Sequence, residues 1–258
     1  MNQTYYKQNY NKFSFGELKF YSPNIFAFPG LCAMKIFGLL PVEPTYAPMP
    51  TVPCFVGSER LSARCREAIL PSVESFGRLG FEILGFEINA DYENPNYIDG
   101  GGCHLFHPIK NFVALVAYNN FINLPTIPSE FTTLTVWAQF ENNHCVGLGN
   151  HKLSNYFHDK VLNRKTFHCE ASSPFQMLPV FERILEESGI NDEIVPLRTL
   201  KDLSSLFEKQ SRKALEAGLK NGRFVPMSEL EIIKMKQERV DKQTAMHEQF
   251  EDSATVRL

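Results

Sequence analysis

From Gly80 to Phe140 the sequence is a succession of short apolar runs separated by brief breaks, and this constrains the fold more than any other feature of the chain. Phe81, Ile83, Leu84, Phe86 and Ile88 begin the series. Residues 96–106, 112–118 and 132–140 continue it, with a weaker segment at 144–153. Parallel strands need crossovers of a dozen or more residues, whereas short breaks suit hairpins, so an antiparallel meander is expected. Residues 112–118 are apolar on both alternating faces, as a strand covered on both sides should be. Leu134, Val136, Ala138 and Phe140 instead alternate with Thr133, Thr135, Trp137 and Gln139, the pattern of a half-exposed strand. Asp99-Gly100-Gly101-Gly102 and Glu141-Asn142-Asn143 are the expected turns.

Helical spacing flanks this region. Leu61, Cys65, Ile69, Val73, Phe76 and Leu79 form one stripe, closed by Gly80, which Pro71 is expected to kink or divide. Met177, Leu178, Phe181, Ile184 and Leu185 form a second, ending at Gly189. Thr199 with Asp202 and Ser228 with Glu231 have capping-box spacing and open two further helices, separated by Asn221-Gly222. The first presents Leu200, Leu203, Leu206 and Phe207 and is expected to pack on the core. The last has only a thin seam, Leu230, Ile233, Val240 and Phe250, among charges.

The first twenty residues lack periodicity and read as an extended or partly ordered arm. Residues 24–40 are apolar and aromatic; Pro29-Gly30 and the single Lys35 argue against an interfacial membrane helix, and packing under the sheet is expected. Pro41, Pro44, Pro48, Pro50 and Pro53 then predict a stiff extended connector. The reading is an α+β fold: a mainly antiparallel sheet with helices packed on one face, plus a C-terminal helical extension. Residues 1–54 form the arm and connector, 55–197 the core domain and 198–258 the extension.

At 258 residues and 43% hydrophobic, the chain has enough apolar material for one sizeable core. A net charge of −3 excludes the strongly basic face that nucleic-acid binding requires. Six cysteines without regular spacing or a secretory leader predict reduced thiols and a cytoplasmic location. The uncharged runs at 20–34 and 111–129 are interrupted by proline and asparagine, so no transmembrane segment is expected.

LGFEILGF (79–86), His107-Pro108, LTVWAQFENN (134–143) and SPFQMLPVFERIL (173–185) occur in an order that resembles a family of bacterial soluble α+β proteins without assigned activity. The resemblance covers roughly residues 70–188. It implies a short helix ending in Leu-Gly-Phe, several strands and a closing helix, and it transfers no catalytic residue.

Chemistry concentrates in one stretch: six of the seven histidines and three of the six cysteines lie between Cys103 and Cys169. A zinc or iron centre drawn from Cys103, His107, His144, Cys145, His151 and His168 is the sharpest reading of that group. Against it, neighbours on a strand face opposite ways, so only one member each of Cys103-His104, His144-Cys145 and His168-Cys169 can serve a shared site. The ordinary alternative is sheet-edge histidines and buried thiols. Cys103 after three glycines also allows a nucleophile beside exposed amides, while Gly147-Leu-Gly149 lacks the third glycine of a dinucleotide loop. Glu82, Glu87, Asp91 and Glu93 read as a solvated face. With no catalytic motif present, a non-catalytic cytoplasmic interaction or assembly protein is expected. It would bind a protein partner or itself through the arm and the final helix, with Leu230, Ile233, Val240 and Phe250 as contacts and no cofactor. The alternative is a small-molecule enzyme or sensor with a His/Cys metal or thiol centre.

Overall fold

Alternating apolar residues commit the middle of the chain to a sheet with two faces to cover, and a computed structural model shows how both are covered. It describes residues 4–21, 26–44, 49, 53–88, 97–121, 130–151, 163–238 and 240–241. Seven strands lie in the order β3 (Cys54–Val56), β4 (Glu82–Ile88), β5 (Tyr97–Phe106), β6 (Val113–Phe121), β7 (Glu130–Gln139), β8 (Cys145–Gly149) and β9 (Arg164–His168). All neighbours pair antiparallel except β8 and β9, which run parallel. The expected meander is therefore present, extended by a short strand at each edge.

Two helices, α3 (Ala63–Arg78) and α4 (Pro174–Glu187), cover one face. Cys65, Ile69, Val73 and Phe76 from α3 and Met177, Leu178 and Phe181 from α4 meet Cys103, Leu105, Val116, Val136 and Leu148 of the sheet. Pro71 does not divide α3, because its ring points to solvent while the buried residues that seat the helix flank it on both sides. Ser62 starts the helix by accepting the amide of Cys65 at 3.0 Å. Pro174 opens α4 at a position where its missing N–H would be unsatisfied anyway.

The opposite face is covered by α5 (Leu200–Lys220), so the helical extension is itself a layer of the core. Leu203 is fully buried with Phe106, Val113, Trp137 and Cys145, and Phe55, Leu200, Leu206 and Phe207 close the edges of this cluster. Thr199 and Asp202 form the capping box read in the sequence.

The glycine run departs from expectation. Gly100, Gly101 and Gly102 are buried residues inside β5, not a turn, and two of them sit where side chains do not fit. A Cβ on Gly101 would lie 2.7 Å from both the Glu87 carbonyl oxygen and a Leu61 methyl, and one on Gly102 would lie 2.9 Å from the Val116 carbonyl oxygen. Their role is close packing of β5 against β4, β6 and α3, which removes the exposed-amide reading of Cys103.

The two ends of the chain form a second unit together. A three-stranded sheet runs in the order β10 (Phe224–Pro226), β1 (Tyr6–Asn9) and β2 (Val42–Pro44), antiparallel throughout. Within the segment expected to be an arm, α1 (Phe15–Tyr21) and α2 (Ala27–Ile36) pack together around Phe13, Leu18 and Leu40. The connector likewise supplies β2 to the small sheet and β3 to the edge of the large one, since each three-residue pairing needs few amides. A last helix, α6 (229–238), docks by burying Met235, by a 2.5 Å ion pair between Lys7 and Glu231, and by Lys236 over the Tyr5 ring. No helix among the described residues is long and apolar enough to cross a membrane.

Candidate interaction surface

Residues 26–37 contain one charge, that of Lys35, and α2 is apolar around its whole circumference. A helix of this composition normally lies in an interior, with no side left to water. Here the expectation of packing under the sheet fails. Phe28 and Leu31 rest on Phe13, Leu18 and Leu40, and the other side is open. No residue of α2 is fully buried. Phe26 is 89% exposed and Phe37 75%, and Pro29, Gly30, Ala33, Met34, Ile36 and Leu39 are exposed with them.

The only cation of the segment is turned off this face. The Lys35 ammonium donates to the Asn11 carbonyl oxygen at 2.7 Å and lies 5.5 Å from the Phe15 ring centre. Pro29, expected to break the helix, falls in its first turn, where a missing amide costs nothing. The segment's apolar character was plain in the sequence; that half of it stays exposed was not.

Of the residues expected to contact a partner on the last helix, Leu230, Ile233 and Val240 are exposed. Phe250 lies outside the described residues. Among the described residues, the ends of the chain thus carry most of the exposed large apolar side chains.

The His/Cys group is dispersed. Cys103 is buried in the α3/α4 layer, where burial pushes its thiol up to about 12, while its neighbour His104 faces α5. Cys145 also faces α5, in the other layer, and burial raises it too. His107 is a structural turn residue. Its Nδ1 accepts the amides of Ile109 and Lys110 at 3.3 Å, and its ring stands edge-on to Phe81 at 5.0 Å. His144 lies at a surface turn with its Nδ1 3.0 Å from the Asn142 amide nitrogen. His151 stacks on Phe131 at 4.9 Å, and its pKa is lowered by burial and by the charge of nearby His168. His151 and His168 are brought together, whereas Cys103 and Cys145 lie in opposite layers and His107 and His144 sit in turns. Among the described residues, no three His, Cys, Asp or Glu side chains form a group that could hold a metal ion.

A buried histidine outside the candidate set is His104. It is 1% exposed, lies edge-on to Phe55 and Phe207 at 5.5 and 6.0 Å, and has Nε2 3.0 Å from a Glu87 carboxylate oxygen without hydrogen-bond alignment. Glu87 and His104 stand on the adjacent strands β4 and β5, and it is the His104 ring, against Phe207, that meets α5. Further along α5, Arg164 donates to Gln210, which donates to Gln139, which donates in turn to the Phe140 and His144 carbonyls. The cavity beside this chain, lined by Gln139, Asn143, Leu206, Lys209, Gln210 and Lys213, is about 210 Å³. That is below the ~300 Å³ at which small-molecule sites usually begin.

Compared with protein-family models, with curated proteins and with solved structures, the chain matches none.

Proposed function

We propose that this chain is an interaction protein that works by docking the unit formed by its two ends, chiefly the open side of α2, against another protein surface. The observation that carries the reading is a helix without a polar side held half out of the fold. Each fully exposed phenylalanine or leucine forgoes about 1.5–3 kcal/mol relative to burial, and exposed apolar residues clustered on one element mark interaction sites. The α5 layer supports the same division of labour, because its polar contacts are spent on holding the core together.

Side-chain footprinting tests the reading. Hydroxyl-radical oxidation of Met34 and Phe37 is compared between purified protein at about 1 µM and the same protein at its natural abundance in extract of its source cells. Protection of both residues in the extract, with exposed Ile109 oxidised equally in the two samples, is the expected result. Oxidation of Met34 and Phe37 in both samples at the full rate of solvent-exposed methionine and phenylalanine would remove the reading.

A further inference from the structure

We infer that the partner of the open α2 face is a second copy of this chain, paired antiparallel about a two-fold axis through the helix midpoint; this rests on the docking reading above. The exposed stripe is symmetric in sequence. Phe26, Pro29 and Gly30 on one side of the midpoint are matched by Ala33, Met34 and Phe37 on the other, each pair equally far from the Leu31-Cys32 bond. When two such helices face each other in opposite directions, Phe26 meets Phe37, Pro29 meets Met34 and Gly30 meets Ala33, with the same contacts repeated by the axis. This is the self-complementary arrangement that an isologous dimer requires.

The shape agrees with the pattern. Bulky residues sit at the ends of the stripe and the smallest at its centre, so the helix axes approach most closely at the axis. Gly30 has no reason to be glycine inside the protomer, since a Cβ built there meets nothing within 4 Å and its backbone is helical. Interior glycine disfavours a helix, and close approach of a second backbone accounts for it.

Charge and area also favour a second copy. With Lys35 drawn back to Asn11, the stripe carries no charge, so like charges do not oppose across the axis. A membrane surface is disfavoured on the same ground, because interfacial helices use a rim of basic residues. Phe26 and Phe37 together expose roughly 300 Å² on the ~200 Å² scale of an aromatic side chain. Two copies therefore cover about 600 Å² with phenylalanine alone, and Pro29, Met34, Ile36 and Leu39 carry the total toward the ~1,200 Å² of specific interfaces.

Sedimentation velocity of the full chain from about 1 to 100 µM is the test, using wild type, Phe37→Asp and Gly30→Leu. Both substitutions are at exposed positions, and unchanged circular dichroism and melting temperature confirm that each variant is folded. The expected result is a monomer–dimer equilibrium in the wild type whose dissociation constant rises roughly 30-fold or more in each variant, as for a central interface anchor. A wild type that stays monomeric to 100 µM, or a dimer indifferent to both substitutions, overturns the inference. So does a monomer that floats with phosphatidylcholine–phosphatidylserine vesicles. If Met34 and Phe37 are still protected in extract in those cases, docking stands and only the second copy falls; if they are oxidised at the full exposed rate in both samples, both fall.

Discussion

Replacing Gly101 by alanine adds one methyl group at the most crowded point of the sheet. Its Cβ would stand 2.7 Å from the Glu87 carbonyl oxygen and 2.7 Å from the Leu61 side chain, with the Cys65 sulfur at 3.4 Å. Attractive contact between heavy atoms begins near ~3.5 Å, so the neighbours must move. Neither is free to do so. The Glu87 carbonyl belongs to the β4–β5 ladder, and Leu61 is buried below α3. Overpacking of this kind costs about 1–3 kcal/mol, offset by about 0.4–1 kcal/mol because alanine has less freedom than glycine in the unfolded chain. The net expectation is a loss of about 1–2 kcal/mol, or a fall in Tm of roughly 2–8 °C for a chain of this size. Gly85→Ala is the control. There the nearest contacts of the new Cβ are all with the Leu200 side chain, its methyls at 2.8 and 2.9 Å and its Cγ at 3.3 Å, and a half-buried side chain can turn away. Its stability should change by less than about 0.5 kcal/mol, like other substitutions without a crowded backbone neighbour. Urea unfolding followed by the single tryptophan, Trp137, reads both, since that ring packs 6.0 Å from Phe207 of α5. A Gly101→Ala midpoint equal to wild type, or equal losses in the two variants, would refute the packing account of the glycine run.

Three further outcomes follow from the titrating groups. Burial, and then the ammonium of Lys110, hold His107 below the ordinary histidine value, so the unfolded chain binds the extra proton; stability should be full above about pH 6.5 and fall as pH drops below it. His107→Phe should be less stable at pH 7, because the Ile109 and Lys110 amides lose their acceptor, and should show a shallower loss between pH 7 and 5; a full wild-type slope in the variant would assign the dependence elsewhere. Glu231 is drawn down to about 2 by Lys7 and the Ser228 cap, so the anchoring of α6 should hold above about pH 4.5 and be lost as pH falls through 2. Amide hydrogen exchange in 229–238 measures this, and protection that is constant from pH 4.5 to 2 counts against the contact. Native protein at pH 7 should react with maleimide first at exposed Cys54, while Cys65, pushed up to about 11 by burial, and Cys103, up to about 12, react only on unfolding. Native-state labelling of Cys103 at the Cys54 rate would contradict its place in the α3/α4 layer.

The central sheet was legible because period-two alternation reports burial directly: Leu134, Val136 and Ala138 face one layer and Trp137 the other, as the pattern implied. Its edge strands were not. β3 is three residues long, too short to show a period, and β9 sets only Thr166 and Phe167 among Arg164, Lys165 and His168, with no apolar run to mark it. Capping chemistry at Thr199 and Ser228 was equally readable, since it depends on residues three apart. Pro71 and the three glycines misled for one reason: the local preference of a residue is overruled when its neighbours in space fix the backbone. The His/Cys group was a cluster only along the chain. Alternation sent Cys103 and His104 to opposite faces, and turns took up His107 and His144. The stripe on α2 was present in the sequence, but its exposure depends on what the rest of the chain leaves uncovered.

The pairing of β1 with β10 joins positions roughly 220 residues apart, Tyr6 opposite Pro226. During synthesis at ~5–20 residues per second, the amino-terminal strand waits about 10–45 s for its mate to be made. The large sheet has no such delay, because β4 to β8 pair with their neighbours in chain order. The central layers are therefore free to form first, and the end unit that carries α2 is completed last, so the open helix is presented in its finished setting only after the core is in place.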